Sequence, residues 1–433
     1  MTRFLVLAAL VGCAPSLSEV RGPVDADIAR RLGPQPKTDV TALLAAPLDQ
    51  KAAVAIALAN SARLQAAFDE LGVAAGEVGA ALGLGPVEID GALRFGNETQ
   101  LELDVVQNVL GLITGGKRRG AARAGLVAAQ AMASAHALRL VARVEIAFGD
   151  VLAAQQAVDL RRAAFDAADA AATVRERMHD AGNASDLAQA RDRDAREQAR
   201  LDVGRAEAEV EVRRERLNAL LGLSGKQTAW TANGTLADLP AAPPPLDGLE
   251  TTAVTASLEL AAGRARVGGA TDRRSDERIR TVLPELGLGV SVHNDGDHGT
   301  TVGPMIRIGI PLFDWRGGER MRANAELRRA EHELTASAIE LRASARAARV
   351  MALAAYQEAK HIAAIVLPLR QQILDETLKH YNAMDADPFA LVMARRELVA
   401  AHDQKLDALR RYWRAIAEVT ALERGVTLHD EEQ

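Results

Sequence analysis

Val87-Glu88-Ile89-Asp90-Gly91-Ala92-Leu93-Arg94-Phe95 alternates apolar with polar or small residues at a period of two, Gly91 apart. That is the signature of a strand with one apolar and one polar face. A turn around Asn97 leads to a second alternating run at 101–107, with Leu101, Leu103 and Val105 on one face and Glu102 and Asp104 on the other. Gly115-Gly116-Lys117-Arg118 follows, then a very long helical stretch, a polar break and a second helix. The other half of the chain repeats this order. At 286–293, Leu286, Leu288, Val290 and Val292 oppose Gly287, Gly289, Ser291 and His293. At 302–310, Ile306, Ile308 and Ile310 oppose Met305, Arg307 and Gly309, and Gly317-Gly318-Glu319-Arg320 leads into another long helix. Internal duplication on this scale decides the fold before any single residue does.

The helical stretches set the proportions. Nothing but tolerated glycine interrupts 117–180, which makes a rod of roughly 96 Å at ~1.5 Å per residue. Its counterpart, 318–381, carries Leu327, Leu334, Leu341, Ala348, Ala355, Ile362 and Leu369 every seven residues. Ala338, Ala345, Ala352, Ala359, Val366 and Ile373 form a companion series, and only Glu331 interrupts the seam. Heptads sustained this far specify packing against other helices, and alanine lets the backbones approach closely. Pro368 is expected to bend the rod. The breaks at 179–186 and 381–388 contain helix stops and starts: Gly182 suits a C-terminal cap, Ser185 and Asp387 suit N-caps, and Pro388 a first helical position.

The chain thus divides into a first repeat at 47–222 and a second at 251–424. The first holds a helical pattern to about Ala81, the strands, the long helix and a return helix at 184–222. The second ends in a return helix at 388–422. A linker at 223–250 contains Trp230 and Pro240-Ala241-Ala242-Pro243-Pro244-Pro245, and 425–433 is a tail.

The N-terminus, Met1-Thr2-Arg3 followed by a short apolar run, has the shape of a signal peptide at 1–12. Cys13, the only cysteine, ends that run, so no internal disulfide is possible. Leu10-Val11-Gly12-Cys13 resembles the bacterial lipobox, with Cys13 as the lipidated residue; a chance cysteine in an ordinary signal is the alternative. Ala14 stands where aspartate would favour retention in the inner membrane. Residues 13–46, rich in proline, glycine and charge, read as an extended, lipid-anchored arm. The mature chain lacks the run of about 18 apolar residues that a spanning helix needs, so crossing a bilayer would require a β-barrel. Strands of this length suffice when tilted, although a half-buried soluble hairpin shows the same alternation.

Aromatic residues make up 3% of the 433 residues and charged ones 25%, a balance that favours long helices packed through small side chains. The net charge of −6 argues against a nucleic-acid partner. The glycine pairs lack the spacing of a phosphate-binding loop. His293-Asn294-Asp295-Gly296-Asp297-His298 holds metal-capable side chains, yet it is also turn chemistry. No catalytic constellation stands out; neither an enzyme nor a cofactor or metal is expected.

The layout resembles the TolC family of outer-membrane efflux proteins over nearly its whole length. The resemblance is carried by Asn60-Ser61-Ala62-Arg63-Leu64-Gln65-Ala66-Ala67, by 303–314 with Gly303-Pro304 and Ile310-Pro311-Leu312-Phe313-Asp314, by Leu367-Pro368, by Tyr412-Trp413 and by Glu418-Val419-Thr420-Ala421-Leu422-Glu423. It implies a mixed α/β membrane protein: a trimeric, twelve-stranded β-barrel, four strands per chain, continued by a long α-helical coiled-coil barrel. Strand arithmetic agrees, since four strands cannot close, eight leave an interior filled by side chains, and twelve leave a lumen. It further implies an exit duct of a tripartite efflux system, in which a periplasmic adaptor and an inner-membrane pump are the partners. Rival readings are the outer-membrane component of type I protein secretion and a lipid-anchored structural or adhesive coiled coil.

Within that arrangement Glu88, Asp90, Glu102 and Asp104 would line the pore with Arg94 and Arg307 as counter-charges, for selectivity or for simple solvation. Phe313 and Trp315 would sit at the membrane interface. Asp180, Asp186, Asp385 and Asp387 are candidates for the periplasmic entrance, or merely cap and solvate the helix ends.

Overall fold

The computed structural model describes residues 15–33, 39–83, 86–95, 99–295, 299–310, 315–385 and 388–428. Cys13, Phe313 and Asp387 lie outside them. The chain is mostly helical with one antiparallel sheet and forms two compact units. One unit takes the chain up to Arg31, Gln65–Ala135 and Ser257–Glu340; the other takes Leu32–Leu64, His136–Ala256 and Leu341–Gln433. Each unit therefore draws on both halves of the duplicated sequence.

The first unit contains the sheet, β1 (Val87–Phe95), β2 (Thr99–Asn108), β3 (Glu285–Asp295) and β4 (Thr300–Gly309), in the order β1-β2-β3-β4. All neighbours are antiparallel, with Ile89 opposite Val105, Val105 opposite Val290 and Leu288 opposite Ile306. The two hairpins of the repeat thus join edge to edge. Helix α5 (Leu110–Asp180) follows β2 directly: Asn108 Oδ1 accepts from Leu110 N at 3.0 Å and caps it. Gly115 and Gly116 consequently lie inside this helix and do not mark the junction from strand to helix, as the sequence pattern implies. Gly116 stands in open space, whereas at Gly120, one turn on, a Cβ would overlap Asp272 of α8 (Leu258–Val282). In the second copy Gly317 does open the helix, α9 (Gly317–His361). There Arg316 adopts a left-handed φ of 49°, and Glu277 grips its guanidinium at 2.6 and 3.3 Å.

The arm expected to be extended instead begins with a helix, α1 (Leu17–Leu32), followed after Gly33 by the short α2 (Val40–Leu44). Val20, Val24 and Ile28 recur every four residues and are buried, an apolar stripe that outweighs Gly22 and Pro23. Leu17 lies against Gly72 and Arg21 covers the ring of Phe68, both on α4 (Ala62–Leu82), so α1 runs antiparallel to α4. The Gln130 amide of α5 donates to Val20 O, a carbonyl in the turn that Pro23 disturbs.

The helical pattern at 47–81 is interrupted at Ser61, where the backbone turns extended between α3 (Gln50–Asn60) and α4. Ser257 interrupts the second copy in the same way, between α7 (Leu249–Ala256) and α8. Both serines accept from the amide three residues on, a cap that stops one helix and starts the next.

The second unit is built on the C-terminal part of α5, α6 (Asp186–Leu221), the end of α9, α10 (Leu367–Asn382) and α11 (Pro388–Glu423). Leu48, Ile56, Val141, Val144, Phe148, Val151, Leu217, Leu221 and Trp230 form its core, and Ala359 and Ile362 of the heptad seam pack into it. Burying each large side chain here contributes about 1.5–3 kcal/mol. The Trp230 indole donates to Asn218 Oδ1 at 2.7 Å, which ties the linker to α6. Between α9 and α10 a π-helical turn, Ile362–Val366, precedes Pro368. Leu367 N bonds Ile362 O, one residue farther back than in an α-helix, so the wider turn absorbs the donor that proline lacks. One window within Gly317–Asn382 has the length and mean hydropathy, 1.2, of a membrane-crossing helix. Ala352, Tyr356, Ala359 and Ile362 of that helix are buried within the fold, while most of the window is exposed.

Candidate channel lining and entrance

The register puts Val87, Ile89, Leu93 and Phe95 on the same face of the sheet as Leu101, Leu103, Val105, Leu288, Val290, Val302, Ile306 and Ile308. All of these are exposed, up to 83% for Phe95. A half-buried soluble hairpin would hide such a face under its own chain; among the described residues nothing covers this one. The opposite face carries Glu88, Asp90, Arg94, Glu102, Asp104, Ser291, His293 and Arg307.

Arg307 reports the shape of the sheet. It belongs to β4, yet its guanidinium reaches Glu88 Oε2 at 2.8 Å and Asp90 Oδ2 at 2.9 Å, both on β1 at the far edge. On a flat sheet those strands lie three spacings, about 14 Å, apart with side chains standing upright. The contacts therefore require the sheet to curl around its charged face. Two inward-facing glycines permit the curl. A Cβ at Gly289 would overlap Val105 O, and one at Gly287 would come within 2.7 Å of Val106 Cγ1. The apolar face is convex and the polar face concave.

On the concave face Arg94 also pairs with Glu102 at 3.2 Å. Asp104 sits opposite Asp90 on one side and Ser291 on the other, and its Oδ1 is buried without a partner among the described residues. Trp315, just before α9, is exposed.

In the second unit the two breaks between helices close in the same manner. At the first, Gly182 has φ 75°, Gly182 N bonds His179 O and Asn183 N bonds Met178 O, both at 2.8 Å. Ser185 caps α6 through Ala188 N. At the second, Met384 takes the left-handed position with φ 61°, Met384 N bonds Tyr381 O at 3.0 Å and Asp385 N bonds His380 O at 2.9 Å. Each tip also pairs a histidine with an aspartate across the turn: His179 with Asp186 at 2.7 Å and His380 with Asp385 at 3.0 Å. Asp180 lies 3.7 Å from His179. These pairings, and the left-handed methionine, left no trace in composition or periodicity.

No protein-family description and no curated protein matches this chain by sequence. Solved structures do match it. A membrane protein from Pseudomonas aeruginosa is 16% identical, with a TM-score of 0.74 over 89% of this chain and 91% of its own. The outer membrane protein VceC from Vibrio cholerae is 14% identical with a TM-score of 0.74, over 87% and 96%. The fold is that of the TolC-like outer membrane channels. The Campylobacter jejuni CmeC outer membrane channel has it too, at 14% identity and a TM-score of 0.70, over 99% of this chain and 92% of that one. The match therefore covers most of both chains, sheet and helices together.

Proposed function

We propose that three copies of this chain form an outer-membrane exit duct, the last component of a tripartite efflux system. The observation that carries the reading is the inverted sheet: apolar on its uncovered convex face, charged on its concave face. Lipid satisfies the first face and a water-filled lumen the second. Joining β4 of one copy to β1 of the next removes the open edges, and three such sheets give twelve strands with a lumen. The same inversion counts against a soluble coiled-coil spacer. Small-molecule or metal efflux is preferred to protein secretion because of the lipobox-like N-terminus, by analogy with lipoprotein members of the family.

Cys13 would be the lipidated residue. The antiparallel course of α1 along α4 supports this, because it turns the start of α1 toward the end of α4 that leads to β1. An acyl anchor would then reach the membrane near the base of the strands. The two tips, with Asp180, Asp186, Asp385 and Asp387, would form the periplasmic entrance that meets the adaptor. Transport is passive, driven by the pump.

The purified full-length protein is expected to give heat-resistant trimer bands on denaturing gels and discrete conductance steps in planar bilayers. A monomer that adds no conductance overturns the reading.

A further inference from the structure

We propose that Arg307 is a crossbar of the lumen that sets both its ion preference and its width. The inference rests on the duct reading above and assigns the selectivity of that duct to one side chain. Arg307 rises from β4, passes over the row where Gly287 and Gly289 offer no side chain, and ends on Glu88 and Asp90 of β1. One guanidinium therefore does two things. It offsets a pair of carboxylates that would otherwise face the lumen as neighbouring like charges, and it lies across the concave face, where it occupies space open to ions. Its fork geometry matters here: lysine offers a single point charge and cannot hold two carboxylates in the same way. Elsewhere on this face Arg94 offsets Glu102, while Asp104 faces Asp90 across the strands with one oxygen unpartnered among the described residues. The acid excess of the lining thus depends on whether Arg307 is present. Threefold repetition would place three such crossbars at one level of the barrel.

Single-channel recording in planar bilayers under a potassium chloride gradient tests this. Arg307→Ala removes both charge and bulk; the expected result is a higher single-channel conductance and a cation-to-anion permeability ratio raised roughly twofold or more. Glu88→Gln with Asp90→Asn tests the same contact from the other strand and leaves the arginine charge uncompensated, so the ratio is expected to fall. Should Arg307→Ala fail to assemble, the double variant alone decides. A wild-type protein that conducts, with variants that keep its conductance and its ion preference, overturns the crossbar while leaving the duct intact. A wild-type protein that does not conduct removes the duct itself.

Discussion

Helices α5 and α6 are laced by ion pairs along their shared length, whereas α10 and α11 lie close together with a groove toward their tip. On the first hairpin Arg162 meets Glu207, Arg175 meets Asp192 and Arg193 meets Glu176, at 2.6, 2.7 and 3.0 Å. On the second, Arg370 meets Glu397, and from Leu369 toward the tip Ile373, Thr377, His380 and Asp385 line a groove of about 430 Å³. Both hairpins descend from one repeated pattern, and both close their tips with the same hydrogen bonds. The difference lies in what fixes one helix against the other: directional charge pairs in the first, and a π-helical turn, an exposed pair and apolar side chains in the second. Duplication preserved the path of the chain and let the cohesion diverge.

The two hairpins also meet, and that joint is where disruption should cost most. Asp150 of α5, only 13% exposed, lies between Arg213 of α6 at 3.2 Å and Arg410 of α11 at 3.8 Å. Asp150→Ala would leave two cations facing each other, although Arg213 keeps Glu209 and Arg410 keeps Asp407. A loss of about 3 kcal/mol is expected, read as a lower Tm of the detergent-solubilised protein by circular dichroism. An unchanged Tm would mean that this joint holds nothing together. A nearby link behaves differently: burial pushes the Asp403 carboxyl above its ordinary value, against the pull of Arg161 at 2.6 Å.

The next comparison separates the hairpins directly. Arg175 and Asp192 are 18% and 16% exposed, while Arg370 and Glu397 are 39% and 44% exposed. Arg175→Ala strands a largely buried carboxylate and is expected to cost about 2 kcal/mol. Arg370→Ala breaks a solvent-screened pair and is expected to cost under about 1 kcal/mol. The same melting measurement checks both, and equal losses would remove the distinction between a laced and a grooved hairpin.

How much of this was legible beforehand follows from the range of the physics involved. The four strands coincide with the period-two runs to within two residues, because alternation is local and one apolar face must point one way. The helix α1 was hidden because Gly22 and Pro23 read as breakers, while the four-residue spacing of Val20, Val24 and Ile28 reads through them. Ser61 and Ser257 were visible as residues but silent as breaks, since a serine inside an alanine-rich run signals a stop only with its extended backbone in view. The polar face could be assigned residue by residue. That Arg307 spans from one sheet edge to the other could not, because the contact joins residues 219 and 217 positions apart and exists only once the sheet curls. For the tips, sequence supplied Gly182 as a cap and aspartates by position, but neither histidine partner.

Gly182 and Met384 make the finest comparison. They occupy the same left-handed place in the same turn, one without a side chain and one with a methionine that is 96% exposed. No atom of the described residues lies within 4 Å of where a Cβ on Gly182 would stand, so Gly182→Ala costs conformation alone, about 1 kcal/mol. Met384→Gly relieves the same strain but loosens the unfolded chain by a partly offsetting amount, for a net gain below about 1 kcal/mol. Hydrogen exchange of the two tip segments in the purified protein measures both: protection should fall at the first tip with Gly182→Ala and rise at the second with Met384→Gly. A fall at the second tip would show that the methionine side chain makes a contact in the assembled protein worth more than the strain it imposes. The second tip would then be shaped by that contact, with its backbone geometry following from it.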